Sequence, residues 1–165
     1  MPALTVGTGA PDFHLSSVDG KPFSLSNALL HGPVVLAFFK VSCPTCQYAF
    51  PFYERLFQAY KNKQVTLVGV SQNDSRDTSA FAEEFGITLP MLLDDTRSYP
   101  VSNAYGLTNV PTLFWIGTDG KVEITSVGWV KPDFEKINQR MAEAATIAAA
   151  PMFRPGDDLR DYRAG

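Results

Sequence analysis

The stretch Val34-Val35-Leu36-Ala37-Phe38-Phe39-Lys40-Val41-Ser42-Cys43-Pro44-Thr45-Cys46 decides how this chain is read. Its first six residues form an unbroken apolar run, the pattern of a strand buried on both faces of a sheet. Beyond it Phe52/Tyr53, Leu56/Phe57 and Tyr60 recur at helical spacing and predict a helix packed on that sheet. Pro51 falls inside that helix, where it removes a hydrogen bond and favours a kink. The chain's only two cysteines stand at the strand-to-helix transition. Helical residues three apart share a face, with Cβ atoms about 5–6 Å apart, near the separation a disulfide needs.

That placement assigns the two sulfurs different chemistry. With Cys43 as N-cap and Pro44 as first helical residue, proline costs no hydrogen bond, because that N–H would be orphaned anyway. A thiolate at Cys43 then faces unsatisfied N–H groups and the positive end of the helix dipole. Lowering a free cysteine from about 8.5 to about 7 takes roughly 2 kcal/mol of thiolate stabilisation. The dipole supplies about 0.3–1 kcal/mol, so N–H···S hydrogen bonds, one from Cys46, have to supply the rest. Lys40 adds positive charge if it points toward the site. Cys43 is thus the expected attacking thiol and Cys46, one turn inside the helix, the more buried resolving thiol.

Two plainer readings suit the cysteine pair less well. Structural zinc takes about four protein ligands, and the chain offers no further cysteine, with His14 and His31 upstream in a hairpin and a loop. A purely structural disulfide closing so short a loop constrains little chain entropy. No metal and no cofactor are expected: there is no phosphate-binding glycine fingerprint, and the cysteine pair is not followed by histidine as in haem attachment.

A length of 165 residues suits one domain with a substantial core, and 45% apolar with 19% charged residues is ordinary for a globular protein. A net charge of −3 gives no footprint for nucleic acid or an anionic membrane. No apolar run approaches the roughly 18–20 residues that span a bilayer. The first residues lack a basic segment followed by an apolar one, so the expected location is cytoplasmic, or exported if the N-terminus has been trimmed. In the cytoplasm a lone pair of this spacing reads as catalytic rather than structural.

Strands and helices alternate along the chain, which argues for an α/β sheet. Phe13-His14-Leu15 and the stretch from Lys21 to Leu25 flank Val18-Asp19-Gly20, an Asp-Gly hairpin signal. A second buried strand spans 65–70, followed by a helix with Phe81 and Phe85 on one face and Gly86 at its end. Met91-Leu92-Leu93 is a short strand, and Val101, Ala104 and Tyr105 mark a short helix. Residues 112–116 and 122–125 form a hairpin, and a last helix carries Phe134, Ile137, Met141 and Ala144. The domain is read as 1–148, with 149–165 a C-terminal tail, mobile by default, that Phe153 and Tyr162 could anchor.

The order strand, cysteine-pair helix, strand, helix, Val110-Pro111-Thr112, hairpin, helix resembles the thioredoxin fold. More closely the chain is similar to the redoxin branch: TlpA/ResA-type oxidoreductases and the related AhpC/TSA peroxiredoxins. Gly9-Ala10-Pro11-Asp12-Phe13-His14-Leu15, Gly69-Val70-Ser71, Pro90-Met91-Leu92-Leu93-Asp94, Tyr105-Gly106-Leu107 and Asp119-Gly120 carry the match over roughly 5–145. The resemblance implies a mixed central sheet flanked by helices with an extra N-terminal hairpin. It implies a thiol-disulfide oxidoreductase acting on protein or small-molecule thiols and disulfides, with a separate electron donor or acceptor; the charge balance already argued against nucleic acid or membrane as partner. It also implies a cis-proline loop at Val110 and Pro111 that faces the cysteine pair and, with Pro44 and Thr45, contacts substrate.

The departures matter. Ala37 stands where thioredoxins carry a buried aspartate, Ser42 where they carry tryptophan, and Ala49 where many TlpA/ResA-type proteins carry glutamate, although Pro51 matches. As proton acceptor for Cys46, Lys40 or an ordered water remain. Peroxiredoxins carry proline and threonine where this chain has Leu36 and Lys40, and an arginine in the segment matching 120–127, where Lys121 is the one cation. Without groups to position peroxide, disulfide exchange is the leading expectation. A peroxidase with Cys43 as peroxidatic thiol and a non-catalytic thioredoxin-fold binding module are the alternatives.

Overall fold

A computed structural model describes residues 2–165. In chain order the elements are β1 (His14–Ser16), β2 (Pro22–Ser24), α1 (Leu25–Leu29), β3 (Val34–Phe39), α2 (Pro44–Tyr60), β4 (Thr66–Ser71) and α3 (Ser75–Phe85). Then follow β5 (Met91–Leu93), α4 (Pro100–Ala104), β6 (Thr112–Ile116), β7 (Val122–Val127), β8 (Trp129–Val130), α5 (Lys131–Ala145) and β9 (Tyr162–Arg163).

The central sheet has the order β5-β4-β3-β6-β7. Strand β3 is its middle strand, parallel to β4 and antiparallel to β6, and all six of its residues are buried. Because side chains alternate across a strand, β3 feeds two cores. Val35, Ala37 and Phe39 face α2, α3 and α5, while Val34, Leu36 and Phe38 face Phe13, Leu25, Val101 and Tyr105. The first core is aromatic: Phe50 on α2 sits 4.3 Å from Phe39 and 5.6 Å from Phe81, ring centroid to centroid. Burying such a ring contributes roughly 1.5–3 kcal/mol, which holds the start of α2 against the end of β3.

The thioredoxin-like mixed sheet with flanking helices and the N-terminal hairpin agree with the sequence reading. Local differences have local causes. Leu25 leaves the hairpin strand to open α1, because the Ser24 hydroxyl accepts the Asn27 N–H at 3.2 Å and caps a helix there. Helix α2 continues through Pro51 to Tyr60. Gly86, at φ 66, closes α3 in the left-handed conformation that costs glycine least.

Residues 149–165 depart from a mobile end. Met152 is buried in the α2/α5 core, and Phe153 packs on Phe134 at 5.6 Å. The Arg55 guanidinium donates to both carboxylate oxygens of Asp157, at 2.8 and 2.9 Å, and to the Met152 carbonyl at 2.8 Å. The Tyr48 hydroxyl donates to the Asp158 carbonyl at 2.6 Å and accepts the Arg160 N–H at 2.9 Å. These anchors lead the chain to β9, which pairs antiparallel with β8.

Candidate active site

Cys43 caps α2 from an extended conformation, φ −80 and ψ 117, with Pro44 in the first helical turn. Its sulfur accepts the Cys46 N–H at 3.2 Å, the bond the N-cap position makes available. The loop leading to it is braced on three sides. Asn73 Oδ1 accepts the Val41 N–H at 3.0 Å, Gln47 Nε2 donates to the Val41 carbonyl at 2.9 Å, and the Cys43 N–H reaches the Lys40 carbonyl at 3.3 Å.

Val110 and Pro111 lie on the loop that enters β6, the antiparallel neighbour of β3. The peptide bond between them is cis, and the Val110 carbonyl accepts the Cys43 thiol at 3.3 Å. That loop is held by the Thr112 hydroxyl, which donates to the Asn109 carbonyl at 2.7 Å, and by the Gly128 N–H, which donates to the Pro111 carbonyl at 2.7 Å. Thr45 turns its hydroxyl toward the C-terminal segment, donating to the Ala164 carbonyl at 2.6 Å.

The two thiols are free and differ in environment: Cys43 is half-buried and Cys46 wholly buried. A hydrogen bond from the Cys46 thiol lowers the Cys43 pKa most; burial opposes it, the Cys46 and Thr45 N–H groups and the Arg163 charge reinforce it, and the value falls to about 6. Burial, with the neighbouring Cys43 sulfur second, pushes the Cys46 thiol far above its usual range. Cys43 is thus the thiol poised to ionise near neutral pH, giving up its bond to the Val110 carbonyl as it does so, while Cys46 is held protonated.

Lys40 is exposed, and the part of it that meets the site is its main chain. The cation whose charge acts on Cys43 is Arg163, which is distant in sequence and gives no sequence signal. Ala37 and Ala49 are wholly buried, so no carboxylate stands at either helper position. Tyr53 was read only as core. Its buried hydroxyl has no hydrogen-bond partner among the described residues, and burial first, with the neighbouring cysteine sulfurs second, holds its pKa well above the usual value.

A half-buried N-cap thiol of lowered pKa, a buried partner thiol one turn on and the carbonyl preceding a cis-proline against the first of them, all on a thioredoxin-like sheet, define a dithiol oxidoreductase of the thioredoxin class. The AhpC/TSA family model matches residues 6–125. The chain belongs to that family. It is 35% identical over 122 residues to the thiol-disulfide oxidoreductase ResA of Geobacillus thermodenitrificans, covering 73% of this chain and 68% of that one. Among solved structures it resembles a thioredoxin-family thiol:disulfide interchange protein of Chlorobium tepidum TLS, with TM-score 0.68 and 27% identity, covering 87% of this chain and 99% of that one. The peroxidoxin BcpB of Mycobacterium tuberculosis is also similar, with TM-score 0.70 and 25% identity over 86% of this chain and 97% of that one.

Proposed function

We propose that this oxidoreductase reduces protein disulfides, with Cys43 as attacking thiolate and Cys46 as resolving thiol. The Cys43 thiolate attacks one sulfur of the substrate disulfide; a mixed disulfide forms and the other substrate sulfur leaves as a thiolate that takes up a proton. Cys46 then loses its proton and attacks the Cys43 sulfur. The second substrate thiol leaves, and a Cys43–Cys46 disulfide closes. Two electrons pass from the dithiol to the substrate, and a separate thiol reductant restores the pair.

The observation that carries this reading is the Cys43 sulfur accepting the Cys46 N–H at 3.2 Å beside the Val110 carbonyl at 3.3 Å. Val110, whose carbonyl meets that sulfur, with Pro111, Pro44 and Thr45 are the proposed substrate contacts. The reverse reaction oxidises dithiols; a reduction potential near about −270 mV favours reduction and one near about −120 mV oxidation.

Peroxide chemistry is the second reading, favoured by the Cys43-Pro44-Thr45 run and by the likeness to a peroxidoxin. At the positions of the peroxide-positioning proline and threonine stand a buried Leu36 and an exposed Lys40. Insulin disulfide reduction and hydrogen peroxide consumption, each with a thiol reductant, separate the two. Efficient insulin reduction with slow peroxide turnover is expected; the opposite order overturns the proposal.

A further inference from the structure

The last residues of the chain lie across the mouth of the dithiol site. β9 runs antiparallel to β8, with Arg163 opposite Trp129 and Tyr162 opposite Val130, and the Lys131 N–H donates to the Asp161 carbonyl at 2.8 Å. Beyond β9 the chain meets the groups that flank Cys43. The Ala164 carbonyl accepts from Thr45 at 2.6 Å, and the Gly165 carbonyl accepts from Asn109 Nδ2 at 3.4 Å. Gly165 packs against the backbone of Val110, whose carbonyl also accepts the Cys43 thiol. The Arg163 guanidinium lies 5.4 Å from the centre of the Tyr48 ring. Gly128 permits this approach: at φ 78 it has the conformation glycine favours, and a Cβ there would stand 2.7 Å from the Arg163 carbonyl.

An extended peptide that offers a disulfide to Cys43 needs this same ground. Strand addition takes an unpaired main-chain edge beside the site and leaves side chains alternately facing in and out. β8, the Val110 loop and Thr45 supply those groups, and residues 161–165 use them already. We infer that this groove is a strand-accepting surface for extended peptides, and that residues 161–165 are its resident occupant, which leaves before a peptide disulfide docks. The inference rests on the disulfide-exchange reading for its substrate and on the geometry alone for its occupant.

The strap is built to hold firmly upstream and loosely at its end. Met152 is buried, Asp157 is paired with Arg55, and the Asp158 carbonyl and Arg160 N–H are bonded to Tyr48. The end itself is a two-residue strand with Tyr162 63% exposed, followed by exposed Ala164 and Gly165. Beside them Cys43 is half-buried rather than covered. Small disulfides therefore reach the sulfur past the strap, whereas an extended chain has to compete with it.

The test compares the full chain with a variant lacking residues 161–165, which retains every upstream anchor; a thermal melt verifies that the variant is folded. Insulin is the extended substrate and hydroxyethyl disulfide the small one. A strap docked about nine-tenths of the time raises an apparent KM about tenfold. Deletion is therefore expected to lower KM for insulin by about that factor, while the rate on hydroxyethyl disulfide reports separately what loss of the Arg163 charge does to Cys43. A synthetic pentapeptide of the 161–165 sequence is expected to restore the insulin KM of the variant competitively. An insulin KM that stays the same or rises on deletion overturns the inference, as does a pentapeptide that fails to compete. Should neither protein exchange any disulfide, the exchange reading falls. Pentapeptide binding to the deletion variant, followed by Trp129 fluorescence, then decides the occupant: saturable binding supports it and none overturns it.

Discussion

The main-chain N–H of Cys46 donates to the sulfur of Cys43 across 3.2 Å, so the second cysteine favours ionisation of the first. This couples the two thiols before any disulfide forms. Both bonds to the Cys43 sulfur from residue 46, the thiol's foremost and the backbone's after it, lower its pKa, while burial first and the thiol contact second raise that of Cys46.

The first consequence is a pH profile. Only the thiolate is alkylated, so iodoacetamide labelling of Cys43 should rise through a midpoint near about 6 and level off above it, with Cys46 unlabelled. The stability of the reduced protein follows the same sign. A folded-state pKa below that of the unfolded thiol contributes stability above the unfolded value, near 8.5, and loses it as pH falls through about 6. A labelling midpoint near about 8.5 would show an unperturbed thiol.

Substituting the two cysteines should have unequal effects. Cys46→Ser keeps the backbone N–H that supports Cys43 and removes the group that resolves, so a mixed disulfide with substrate should accumulate on non-reducing gels. Cys43→Ser should abolish exchange and trap nothing. A trapped adduct on Cys46 in the second variant would reverse the assignment.

Ala49 offers a way to test how Cys46 loses its proton. It is wholly buried, one turn beyond Cys46 and one turn before Tyr53, whose hydroxyl has no partner among the described residues. Ala49→Glu places a carboxyl between them. Overpacking should cost about 1–3 kcal/mol of stability, while closure of the mixed disulfide, followed by stopped-flow with a chromogenic disulfide, should accelerate. An unchanged closure rate would mean that proton loss from Cys46 is not limiting.

Tyr53→Phe removes a buried hydroxyl that makes no hydrogen bond with the described residues. An unmet donor costs about 1–3 kcal/mol, so the variant should match or exceed the parent in chemical denaturation. A clear loss of stability would show that the hydroxyl is satisfied by a bound water.

Much of this architecture is readable from short-range pattern. The apolar run of β3, the helical spacing of Phe52, Tyr53, Leu56 and Tyr60, and the Asp-Gly hairpin signal each describe a few consecutive residues whose burial follows from their period. Helix α1 was missed because five residues capped by Ser24 carry too little periodicity to register. The strand β9 was missed because a two-residue ladder in a polar segment has no hydrophobic alternation.

The sequence by itself determined that a cysteine would cap a helix at the end of a buried strand, with its partner one turn inside. That arrangement is local, set by Cys43-Pro44-Thr45-Cys46 and the run before it. Only the tertiary structure decided what surrounds those sulfurs. The Val110 carbonyl reaches Cys43 across 67 residues of chain and Ala164 reaches Thr45 across 119, pairings that depend on sheet order and on the anchored terminus rather than on any local spacing. The same long-range packing put Arg163 rather than Lys40 in the field of Cys43 and left the Tyr53 hydroxyl unpartnered among the described residues. Spacing sets which groups can react, whereas burial and distant neighbours set how readily each gives up its proton.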